Sequence, residues 1–113
     1  MSTRATPVRR ALVVVNPTAA RLTDPDRRAK MHHELVRDVV ERTGRAPDWV
    51  EGGHAEAKQA LADIADRPLV VVAGGDGSVR EAVDALRGTD VPLAIVPGGT
   101  GNVLAHALRI GGH

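Results

Sequence analysis

Three short, β-branched apolar runs mark out the chain: Ala11-Leu12-Val13-Val14-Val15, Leu69-Val70-Val71-Val72-Ala73 and Leu93-Ala94-Ile95-Val96. Each is too short for a helix and apolar on both faces, as a buried parallel strand should be. Ala46 to Glu51, with Trp49 inside it, reads as a further strand. Between these runs the apolar spacing turns helical. Met31, Leu35, Val36, Val39 and Val40 form one stripe, entered at Asp24-Pro25 as cap and first helical residue and left at Gly44. Ala57, Leu61, Ile64 and Ala65 line one face of a segment from Ala55 to Ala65, and Val79 to Leu86 and Val103 to Leu108 keep the same period. Strands alternating with helices predict a doubly wound α/β domain, a parallel sheet with helices on both faces joined by right-handed crossovers. The pattern leaves strand order open. Residues 1–8 read as a polar lead-in and 9–113 as one domain.

Two strand-to-helix junctions are rich in glycine. Gly74-Gly75-Asp76-Gly77-Ser78 permits positive φ and leaves the backbone amides uncovered, and Ser78-Val79-Arg80-Glu81 has the Ser-x-x-Glu form of a capping box, which starts a helix at Ser78. Free N–H groups at such a helix start suit a phosphate. Asp76 would repel a bare phosphate, so it holds a bridging Mg²⁺, handles a proton, or only caps the turn. Pro97-Gly98-Gly99-Thr100-Gly101-Asn102 repeats the plan, with Asn102 as N-cap of the last helix. In a parallel sheet both turns lie at the carboxyl ends of their strands, where ligands of open α/β sheets bind. Asn16-Pro17 ends the first strand on that same edge; Asn16 either stabilises the turn or faces the ligand.

Composition removes several function classes. The chain lacks cysteine, which excludes disulfide frameworks and thiolate metal sites and is compatible with a reducing compartment. Its net charge of +1, with acids and bases interspersed, calls for neither nucleic acid nor an anionic membrane. Trp49 is the only aromatic, so stacking platforms for bases are ruled out. There is no apolar run of membrane-spanning length and no signal-peptide core, which predicts a cytoplasmic protein. His32 and His33 are adjacent on one helix and point different ways, as ordinary helix residues.

With both glycine turns in hand, the chain resembles a known family. Gly74 to Glu81 resembles the GGDGTxNE signature, and Pro97 to Asn102 the PxGTGN signature, of the diacylglycerol kinase catalytic domain, which also includes sphingosine, ceramide and bacterial lipid kinases. Asn16-Pro17 resembles the family's NPxxG element and Gly53-His54-Ala55 its GHA or GDA element, so the likeness runs from about Val13 to Ile110. It implies a phosphofructokinase- or NAD kinase-like nucleotide-binding domain that uses ATP and Mg²⁺ to phosphorylate a lipid hydroxyl such as that of diacylglycerol. Asn16, Pro17, Gly74, Gly75, Gly77, Ser78, Gly99, Thr100, Gly101 and Asn102 would then address the nucleotide, Asp76 the metal or the chemistry, and Glu81 would support the turn. Gly99-Thr100-Gly101-Asn102 speaks against NAD kinase and phosphofructokinase themselves.

The departures are specific. Ser78 stands for the usual Thr, Arg80 for Asn, Ala20 for the NPxxG glycine and Val103 for an acid, and a nucleotide-contacting threonine either aligns with Trp49 or is missing. Family members also carry a second, mostly β domain with most of the lipid pocket and an acidic base, which these residues do not contain. The resemblance therefore implies a second catalytic domain in cis or in trans, or a homodimer that builds the pocket between subunits, with peripheral contact at the inner membrane surface. The competing reading is a truncated or regulatory nucleotide-binding domain without turnover.

Overall fold

The computed structural model describes residues 9–18, 23–97 and 108–109. In chain order they form β1 (Leu12–Val15), α1 (Pro25–Thr43), β2 (Asp48–Glu51), α2 (His54–Leu61), β3 (Val70–Gly74), α3 (Asp76–Leu86), β4 (Pro92–Pro97) and β5 (Leu108–Arg109). The sheet runs β2-β1-β3-β4-β5. The first four strands are parallel, and β5 pairs antiparallel with the start of β4, Leu108 beside Leu93 and Arg109 beside Pro92.

Alternation along each strand divides the core into two layers. Ala11, Val13, Val15, Val71, Ala73, Ala94 and Val96 point to one face, where Met31, Leu35 and Val39 of α1 cover them. Leu12, Val14, Val70, Val72 and Leu93 point to the other, against Ala57 and Leu61 of α2 and Ala82 and Leu86 of α3. Helices thus lie on both faces, as expected for a doubly wound sheet. Each fully buried Val or Leu contributes about 1.5–3 kcal/mol, so the central strands carry most of the stabilisation.

Several expected boundaries hold and several move. Asp24 caps α1 as expected, its carboxylate accepting from Asp26 N–H at 2.9 Å, and Gly44 (φ 82°) closes the helix with its N–H on Val40 C=O. The stripe of α1 is narrower than read, because Val40 is 40% exposed. β2 starts at Asp48, not Ala46. α2 ends at Leu61 rather than Ala65; the next residues turn so that Ile64 enters the core while Ala65 faces solvent. Leu108, expected in a helix, lies in β5. The second glycine turn, with Gly99, Thr100, Gly101, Asn102 and Val103, falls outside the described residues, as does Ala20.

The amino-terminal end of the sheet is closed by one buried cation. The Arg67 side chain is 6% exposed, and its guanidinium donates to Asp63 C=O (2.8 Å), Arg10 C=O (2.9 Å) and the Asp48 carboxylate (2.8 Å). It ties the segments that lead into β1, β2 and β3 together, at the end away from the glycine turn.

Candidate functional site

The chain leaves β1 for β2 on one side and later places β3 on the other, so the strand order reverses between β1 and β3. That is where open α/β sheets bind ligands, in the crevice beyond the strands' carboxyl ends. Asn16 follows β1 there, its N–H on Ala73 C=O at 2.9 Å, and Gly74 ends β3 beside it. A Cβ on Gly74 would come within 3.3 Å of Asn16 Cβ. The two predicted elements therefore meet.

The turn is tighter than the sequence suggests. α3 begins at Asp76 with Gly75 as its N-cap, so Ser78 is the third helical residue and not the cap. No Ser78–Glu81 capping box forms, because each side chain is engaged elsewhere. The Ser78 hydroxyl lies against Gly74 and the Glu81 carboxylate contacts the His54 ring. Positive φ is not what the glycines of this turn supply: Gly75 has φ −88°, and among the described residues the left-handed glycines are Gly44 and Gly88, which follow α1 and α3. What Gly75 and Gly77 supply is space. A Cβ at either would meet nothing within 4 Å.

The first helical bond of α3 runs from Val79 N–H to Gly75 C=O at 3.1 Å. The N–H groups of Asp76, Gly77 and Ser78 therefore have no intrahelical acceptor, and the helix dipole adds partial positive charge at that end. Asp76 is exposed at the head of this turn, and Arg80, four residues on, shares its helix face. Such a set can hold an anion through backbone donors while a carboxylate faces a cation bound to that anion.

Asn16 does stabilise its own turn. Its side-chain oxygen accepts from Thr18 N–H at 3.0 Å and from the Thr18 hydroxyl at 2.6 Å, which leaves the amide NH₂ as the part able to reach a ligand. Pro17 lies within that turn. Trp49 is not at the turn: its indole N–H donates to Glu51 at 2.8 Å and its ring takes the edge of His32, centroids 4.3 Å apart. Among the described residues no group of three or more His, Asp or Glu could hold a metal by itself. A groove of about 670 Å³ runs between α2 and α3 over Leu61, Ile64 and Ala85, and touches the site only at His54 and Glu81.

The His54–Glu81 contact had no signal in the sequence, since its partners lie on different helices. Gly74 with Ser78 is another relation that only the fold reveals. The register of β3 with β4 pairs Gly74 with Pro97, so the strand leading to the second glycine motif ends beside the first.

Comparison with known proteins agrees with this architecture. Residues 10–113 match the family model described as diacylglycerol kinase catalytic domain. A diacylglycerol kinase of Mycobacterium tuberculosis, in two strains, is 41% identical over 85 residues, which are 74% of this chain and 24% of the relative. A solved diacylglycerol kinase structure from Bacillus anthracis str. Sterne superposes with TM-score 0.59 at 25% identity, over 85% of this chain and 35% of that one. A second structure from that organism reaches 0.63 at 26% identity, over 84% and 34%. The chain spans about a quarter of the curated relatives' length, and it belongs to the diacylglycerol kinase catalytic domain family.

Proposed function

We propose that these residues form the ATP-binding half of an ATP-dependent lipid kinase, which transfers the terminal phosphate of ATP to a lipid hydroxyl such as that of diacylglycerol. The carrying observation is the meeting of Asn16, Gly74 and the free N–H groups of α3 at the switch point between β1 and β3. In this reading the amides of Asp76, Gly77 and Ser78 hold phosphate oxygens, and the bare Cα atoms of Gly75 and Gly77 let those oxygens approach. Asn16 offers its NH₂ to the nucleotide, with Pro17 shaping its turn. Gly99, Thr100, Gly101 and Asn102 serve as the second phosphate turn.

Asp76 fits a role toward Mg²⁺, because that ion is commonly held by one or two carboxylates together with substrate phosphates and water. When bound, the ion supplies charge neutralisation at the transferring phosphoryl group. Phosphoryl transfer depends mostly on positioning and electrostatic stabilisation, and preorganised backbone donors supply both.

Calorimetric titration of the 113-residue chain tests the nucleotide role. Mg²⁺–ATP is expected to bind and adenosine to bind much more weakly, since every group at the turn addresses phosphate; equal affinities would refute the reading. Transfer of labelled phosphate to diacylglycerol is expected only when the remaining length of the relatives is supplied in cis or in trans. Robust labelling by the 113-residue chain would instead make it a complete enzyme, for instance as a homodimer.

A further inference from the structure

The helix that carries the candidate phosphate turn starts without a capping side chain. Its N-cap is Gly75, which has none to offer, and the Ser78–Glu81 box that would close the first turn is not made. Glu81 reaches across to α2, where its carboxylate contacts Nδ1 of His54, the first residue of that helix. Glu81 is 22% exposed and His54 76%, so the carboxylate lies inside and the ring forms the rim.

The two helices differ in how firmly their starts are held. The chain at Gly52 runs so close to α2 that a Cβ there would lie 2.6 Å from the Glu56 side chain. Gly52 N–H bonds Val15 C=O at 3.0 Å, and Glu56 accepts from Gly53 N–H at 2.9 Å. The start of α2 is thereby fixed to the carboxyl end of β1, next to Asn16. Between α2 and α3 the packing is apolar, through Ala57, Leu61, Ala82 and Leu86. Apolar contact is non-directional and tolerates sliding along the helix axis; a hydrogen-bonded pair does not.

We propose that His54 and Glu81 are positioning residues: their contact transmits the fixed position of α2 to α3, so that the N–H groups of Asp76, Gly77 and Ser78 stand as a preformed phosphate cradle. This rests on the nucleotide reading above. The imidazole carries charge only when protonated. Asp84 of α3 and Lys58 of α2 line the same groove as the pair.

The test compares the 113-residue chain with His54→Ala, Glu81→Ala, the double variant and His54→Gln, by amide hydrogen exchange and by Mg²⁺–ATP titration. Each Ala variant is expected to speed exchange at residues 79–82, the first hydrogen-bonded amides of α3, while β3 stays protected, and to weaken Mg²⁺–ATP by about 3- to 10-fold. The double variant should be no worse than either single one, and His54→Gln, which keeps an N–H donor, should recover part of the loss. Unchanged exchange at 79–82, additive losses, or faster exchange without loss of affinity would each overturn the proposal. If the wild-type chain bound no Mg²⁺–ATP while exchange responded as expected, the tie between the helices would stand and the nucleotide reading would fall.

Discussion

A methyl group on Gly74 would stand 2.8 Å from the Ser78 hydroxyl oxygen and 2.9 Å from Ser78 Cβ, so the last residue of β3 and the third residue of α3 share space that no larger side chain can enter. Gly74→Ala should therefore cost about 1–3 kcal/mol through overpacking. Gly77→Ala meets nothing within 4 Å and replaces a helical glycine, so it should gain about 0.5–1 kcal/mol. Its added methyl stands where the proposed phosphate approaches, and Mg²⁺–ATP binding should weaken. Thermal melts and titration on both variants check the opposite signs; a Gly77→Ala protein that binds as tightly as wild type would remove phosphate from this turn.

Asp76 heads α3 as an exposed residue, and its charge there is favourable to the helix dipole by about 0.3–1 kcal/mol. Asp76→Asn should lose no more stability than that, while the Mg²⁺ dependence of ATP binding disappears. The measurement is ATP affinity with and without Mg²⁺ in both proteins. An unchanged metal response would end the metal role of Asp76.

Arg67 satisfies two backbone carbonyls and the Asp48 carboxylate from a buried position. Arg67→Ala should cost about 1–3 kcal/mol, because the carbonyls lose their donor, and Arg67→Lys should recover only part, lacking the planar fork. Both variants should bind Mg²⁺–ATP as wild type does below their melting temperatures, since Arg67 closes the opposite end of the sheet. Denaturant melts read the cost, and calorimetry the unchanged affinity.

The two terminal nitrogens of Arg9 reach the two carboxylate oxygens of Asp63, at 3.1 and 3.0 Å, and this hydrogen bonding and charge hold the Asp63 carboxyl below its ordinary value of 3.8. Unfolded Asp63 takes up its proton at a higher pH than folded Asp63. The contribution of the pair is thus complete above the ordinary value and is lost as the pH falls through the lowered, folded one. Asp63→Asn should be less stable than wild type near neutrality, and the gap between their melting temperatures should close on acidification below 3.8. A gap that persisted at the lowest pH would assign the difference to something other than Asp63 ionisation.

Periodicity made the four parallel strands, α1 and α3 legible, because a buried strand and an amphipathic helix each write their burial into the spacing of apolar residues. Gly44 and Asp24 announced the ends of α1 through local chemistry alone. The start of α3 was misread because Ser-x-x-Glu describes a local pairing, and here tertiary partners took both members: Gly74 packs on the serine and His54 takes the glutamate. β5 was misread for a similar reason. Two residues carry too little pattern to show that the chain turns back along β4.

β1 lies at the centre of the parallel strands although it comes first in the chain, and its partners begin only at Asp48 and Val70. During synthesis Leu12 to Val15 would leave the ribosome with both faces apolar and both edges unpaired; β2 can take one edge once it has emerged, and the other stays open until β3 follows. Native pairing on both sides of β1 waits for that long-range closure, which slows folding. Any nascent or truncated chain ending before Gly74 would present its most buried strand to solvent and to other copies of itself.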